Sequence, residues 1–86
     1  LTSEYQRAYQ QYVRYKQRYD FYRNNSVNVA NEQIRVSSFA FSKGEISYVE
    51  LVENLTQAVE IKLQYLQAIQ KLNEAIITIN YLKGNQ

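Results

Sequence analysis

The sequence predicts an all-α protein: two long antiparallel helices forming a coiled-coil hairpin. Three observations predict it. The 86 residues include two glycines and no proline, so little interrupts a helix over most of the length. Apolar residues recur at heptad spacing in both halves. Between the halves, the stretch FSKGEISYVELV, residues 41–52, places a helix stop and a helix start within a few residues of each other.

The first helix is expected over about residues 2–43. Tyr5, Tyr12 and Tyr19 recur every seven residues, with Ala8, Tyr15 and Tyr22 as a second row. Val27, Ala30, Ile34 and Phe41 continue an apolar row after a shift in phase. Asn24, Asn25 and Ser26 lie between the two registers and have poor helix propensity, which predicts a bend or local loosening rather than a break.

The tip is expected at residues 43–47. Gly44 takes the left-handed conformation that ends a helix, which glycine adopts without steric cost. Ser47 and Glu50 have capping-box spacing, each side chain answering the other's backbone N–H, and Ile46 and Leu51 are spaced as a hydrophobic staple around that cap. With stop and restart so close, the second helix runs back along the first. Arms of about 40 residues at about 1.5 Å each reach on the order of 60 Å.

The second helix is expected over about residues 48–83, with Gly84 as its C-terminal stop. Its seam reads Leu51, Leu55, Ala58, Tyr65, Ile69, Leu72, Ile76 and Ile79, and Val52, Val59, Leu63 and Leu66 lie beside it. That face is wider than one two-stranded seam requires. The hairpin is therefore expected to be part of a larger bundle or barrel of helices.

Composition narrows the function. There is no Cys and no His, which excludes disulfides, cysteine nucleophiles, thiolate or imidazole metal sites and His-dependent triads. No catalysis, cofactor or metal is expected. No apolar run approaches the roughly 20 residues of a membrane span. The first residues, Leu1 to Glu4, lack an initiator Met and a signal-peptide shape, which predicts a segment of a larger protein. The net charge of +2 conceals an asymmetry: residues 1–43 carry seven Lys/Arg against three acids, and residues 44–86 carry three against five.

Two stretches, FSKGEISYVEL and QAVEIKLQYLQAIQKLNEAIITINYLKGN, resemble the last helical hairpin of the TolC-like outer-membrane efflux channels, and the resemblance covers essentially the whole chain. The chain is most similar to versions associated with, or fused to, CzcA-type heavy-metal RND pumps. Asn28 stands where those relatives often carry proline, so a softer bend is expected. The resemblance implies the periplasmic portion of an outer-membrane-associated protein in a Gram-negative bacterium, trimeric in its parent form. It would export heavy-metal cations or small molecules with a periplasmic adaptor protein and an inner-membrane RND pump as partners. By the same resemblance Lys43, Gly44, Glu45, Ile46 and Ser47 form the adaptor-contacting tip, and Glu50 and Glu53 line the pore. Ile46 replaces a basic residue that can hold such tips shut, so the resemblance does not extend to an ion-pair gate. Glu50 is shared between two roles, since the capping box also claims its carboxylate.

Two other readings remain open. One is a plain coiled-coil interaction module without a channel role. The other is nucleic-acid binding by the stretch YQQYVRYKQRYDFYR, which interleaves tyrosines with Arg14, Lys16, Arg18 and Arg23. The heptad spacing of the tyrosines favours a packed seam over a stacking surface, and no nucleic-acid partner is expected.

Overall fold

In a computed structural model, which describes residues 3–84, the chain is an all-α hairpin measuring 63 × 17 × 15 Å. Helix α1 spans Ser3–Phe21, a π-helical turn follows at Tyr22–Ser26, α2 spans Val27–Ser42 and α3 spans Tyr48–Gly84. α1 and α2 make one nearly continuous arm, and α3 packs antiparallel along both. The described residues contain no strand. The expected start at residue 2 lies outside the described residues. At the other end α3 includes Gly84, which does not have a positive φ and so is not a left-handed cap.

The expected loosening at Asn24–Ser26 takes a definite form. In the π turn the Val27 N–H donates to the Tyr22 carbonyl, five residues back instead of four. Two nearby carbonyls receive side-chain amides: Asn25 Nδ2 donates to Phe21 O at 3.3 Å, and Asn28 Nδ2 donates to Asn24 O at 3.0 Å. The wider turn absorbs one residue, which accounts for the phase shift. Buried Ala8 and half-buried Tyr15 and Tyr22 lead on to buried Ala30 and Ser37, with an interval of eight residues across the turn and seven elsewhere.

The seam is built mainly from small residues. Ala30 and Ala58 are fully buried, and Ala8, Ser37, Ala68 and Ala75 nearly so, with Leu72 and Ile79 the only larger side chains among the buried residues described. Small side chains let two helices approach closely, but each removes little apolar surface from water. The structure corrects the sequence reading at three places. Ile76 lies outside the seam at 38% exposure and Ala75 takes its place, while Ile79 is buried as expected. Ala68, Ile61 and Leu82 join the seam, because the inward row repeats every seven residues one helical position away from the bulkier side chains. Phe41 is 40% exposed, and Ala40 is the half-buried residue beside it.

Five tyrosines of the first arm, Tyr5, Tyr12, Tyr15, Tyr19 and Tyr22, are half-buried along the seam and its edges, while Tyr9 is exposed. Tyr19 stacks on Tyr65 of α3 with ring centroids 5.8 Å apart. Surface ion pairs are local: Lys16 with Asp20 at 3.0 Å, and Arg35 with Glu32, whose carboxyl is held below its ordinary range by hydrogen bonding to the guanidinium. Exposed pairs of this kind contribute little to stability.

Three predictions follow from the packing. Deleting Asn25 removes the residue that the π turn absorbs, so the arm should become a regular helix with its buried rows still in phase and its melting temperature unchanged or raised. Deleting Gln64 from α3, where nothing absorbs the loss, turns half the helix by about 100° and should abolish the cooperative melt. The Tyr65 hydroxyl is raised above its ordinary value of 10.0, chiefly by hydrogen bonding with Tyr19. The folded state therefore holds that proton more tightly, and this contribution is complete below pH 10 and lost as pH rises further. Tyr65→Phe should flatten the alkaline loss of helicity followed by circular dichroism.

Candidate functional site

The tip is assembled by local hydrogen bonding. α2 closes in a Schellman motif: Glu45 N–H donates to Ala40 O at 2.9 Å and Gly44 N–H to Phe41 O at 3.0 Å. Gly44 supplies the φ of +76° that this closure needs, and a Cβ added there would meet no atom within 4 Å. The requirement for glycine is therefore conformational and not one of space. Lys43 is the C-cap, and its Nζ lies 5.2 Å from the Phe39 ring centroid.

α3 starts with the reciprocal capping box. Ser47 Oγ accepts from the Glu50 N–H at 3.1 Å, and Glu50 Oε1 accepts from the Ser47 N–H at 3.3 Å. Ile46 and Leu51, spaced as a staple, are both half-buried, whereas Glu45, Ser47, Tyr48, Val49 and Glu50 are exposed. Phe41 and Tyr48 meet edge to face across the turn, ring centroids 6.2 Å apart. The five residues expected at the tip, Lys43, Gly44, Glu45, Ile46 and Ser47, are thus one compact turn, with Ile46 alone half-buried among them.

Glu50 and Glu53 are both exposed on α3 and lie on one side of the helix. Their roles differ. Glu50 is engaged in the cap, whereas Glu53 heads a straight row with Glu60 and Glu74 at multiples of seven residues, all exposed and turned away from the buried seam. The sequence reading missed Glu60 and Glu74, although heptad counting from Glu53 would have found them.

Next to this acidic row α3 carries a second apolar face. Val49, Val52, Val59, Leu63, Leu66 and Ile77 are 42–67% exposed and lie together on the helix surface, beside the seam. No protein-family pattern, curated protein or solved structure matches the chain. Its own geometry is what bears on function.

Among the described residues an open groove of about 530 Å³ lies between Arg18, Tyr22, Gln67 and Lys71. Among the described residues no cluster of three or more His, Cys, Asp or Glu is placed to hold a metal, and no helix is long and apolar enough to cross a membrane.

Since Gly44 faces open space, Gly44→Ala should cost about 1–2 kcal/mol from left-handed strain alone. Ser47→Ala should cost about 1 kcal/mol from the lost cap. Urea unfolding of the two variants would check both values, and the double variant should show less than the sum if the turn acts as one unit.

Proposed function

We propose that this chain is a periplasmic helical hairpin of a TolC-like outer-membrane efflux channel, forming tunnel wall along its arms and an adaptor contact at its tip. One observation carries the proposal. α3 is apolar on two adjacent faces, and the first arm covers only one of them, leaving Val52, Val59, Leu63 and Leu66 exposed. A helix in a tubular wall needs a seam on each side, whereas a helix in an isolated two-stranded coil needs only one.

Other features support the same reading. The GEISYVE turn and the long return helix ending at Leu82-Lys83-Gly84 resemble the family's last hairpin. The tip is preformed by its own hydrogen bonds, as suits a docking element. Repeated around a pore, Glu53 and Glu60 would make rings of carboxylates that attract cations. Glu50 is the weaker candidate for that lining because the Ser47 N–H already engages it.

The function is passive. The wall holds the conduit, the tip receives the adaptor at residues 43–47, and the inner-membrane RND pump drives export of heavy-metal cations or small molecules. The hairpin itself carries out no chemistry.

The test is adaptor binding by this hairpin, native or carrying Gly44→Val with Ile46→Asp, after circular dichroism shows both to be helical. The native tip should bind the adaptor and the variant should lose at least tenfold in affinity, about 1.4 kcal/mol. Equal binding, or none by either, would favour a plain coiled-coil module.

A further inference from the structure

Two apolar stripes remain uncovered, and they lie on opposite broad sides of the hairpin. The first is the α3 face of Val49, Val52, Val59, Leu63, Leu66 and Ile77. It lies on the side marked by the Phe41–Tyr48 ring pair, since Val52 and Val59 neighbour Tyr48 and Leu55 around the helix. The second belongs to the other arm: Phe21, Val29, Val36 and Phe39 are 50–60% exposed. Phe21, Val29 and Val36, eight and then seven residues apart, stay in one row because the π turn between them absorbs the extra residue. Val29 and Val36 flank Gln33, whose Nε2 donates to Gln57 Oε1 at 3.0 Å on the opposite side of the hairpin from the ring pair.

We infer that these stripes are the two halves of one heterologous contact, in which the α3 face of one copy packs against the Phe21–Val29–Val36–Phe39 stripe of a second copy, tips side by side. The inference rests on the reading of the second α3 face as a helix-packing surface and names what covers it.

Level and charge both support this occupant. The Gln33–Gln57 pair fixes which residues of the arms stand at equal height above the tip. At that setting Phe39 stands within about one turn of Val52, Val29 within one turn of Val59 and Leu63, and Phe21 within one turn of Leu66. Arg14, next in the row beyond Phe21, then stands near the level of Glu74. Overall the first arm is the basic half, with seven cations against three acids, and the α3 half is the acidic one, with three against five. Pairing α3 with another α3, antiparallel about Leu63, would instead set the row Glu53, Glu60, Glu74 against itself and bring Glu53 near Glu74 of the second copy, a like-charge cost. Each stripe is a contiguous row of exposed apolar side chains rather than scattered single residues. Because the two stripes are different surfaces, the contact does not close on itself as a two-fold dimer does. It propagates from copy to copy and closes only as a ring.

The chain contains no Cys, so disulfide mapping is unambiguous. Val29→Cys and Leu63→Cys chains are prepared separately, mixed, and oxidised. The mixed 29–63 dimer should dominate, and each variant oxidised alone should give little dimer. Placing Leu66→Lys in the Leu63→Cys chain should abolish the mixed product while circular dichroism shows the helices intact, since Leu66 lies outside the seam. A dominant 63–63 product, or no dimer from the mixture, would overturn the inference. The tip variant of the preceding section keeps the two proposals apart. Cross-linking without adaptor docking would remove only the channel reading, and docking without cross-linking would remove only the self-packing.

Discussion

Two helices can offer each other one stripe apiece, and in this hairpin those stripes are lined by Ala8, Ala30, Ser37, Ala58, Ala68 and Ala75. Everything else in the structure depends on that allocation. A small-residue seam lets the helices come close, but the area it removes from water is modest, about 25 cal/mol for each Å². The bulky side chains that would stabilise a self-sufficient hairpin, among them Leu63, Leu66, Phe21 and Phe39, point elsewhere. An 86-residue chain built this way keeps much of its hydrophobic content available to neighbouring helices.

The same allocation explains why a π turn occurs in the first arm. An arm spanning 19 residues of α1, a five-residue turn and 16 residues of α2 must keep its small and half-buried positions facing a straight α3. A uniform helix drifts against a heptad repeat, and the sequence adds a further residue between Tyr22 and Ala30. Absorbing it in one wide turn preserves the seam before and after. The Asn-Asn-Ser stretch is where the distortion costs least, because its residues favour helix weakly and the amides of Asn25 and Asn28 reach the nearby carbonyls.

The turn was the most legible part of the sequence, because its determinants are local. Gly44 for positive φ and Ser47 with Glu50 for reciprocal capping depend on residues within four positions, and the structure has all of these bonds. The seam of α3 was less legible. With apolar residues on two adjacent faces, the pattern does not say which face meets the first arm, and bulky Ile76 stands out in a sequence more than Ala75 does. The loosening at Asn24 could be foreseen from propensity and phase, but its form as a π turn depends on packing against α3, which no local rule encodes. Of the candidate site, the tip and the exposure of Glu50 and Glu53 were readable. The fuller acidic row is harder to read, because Gln67 interrupts the heptad spacing between Glu60 and Glu74.

Local and tertiary determinants divide the hairpin into parts with different needs. The tip satisfies its own backbone groups through the Schellman bonds and the capping box, and covers them with the Phe41–Tyr48 contact and Lys43 above Phe39. It can hold its shape without a neighbour. The arms rely on an alanine seam and leave Val29, Val36, Val59 and Leu63 exposed. Anything that covers those stripes stabilises the helices by mass action, which would link folding to their burial along the arms. The tip stays outside that linkage, presenting the same turn whether or not the arms have packed, which is the behaviour a preorganised contact requires.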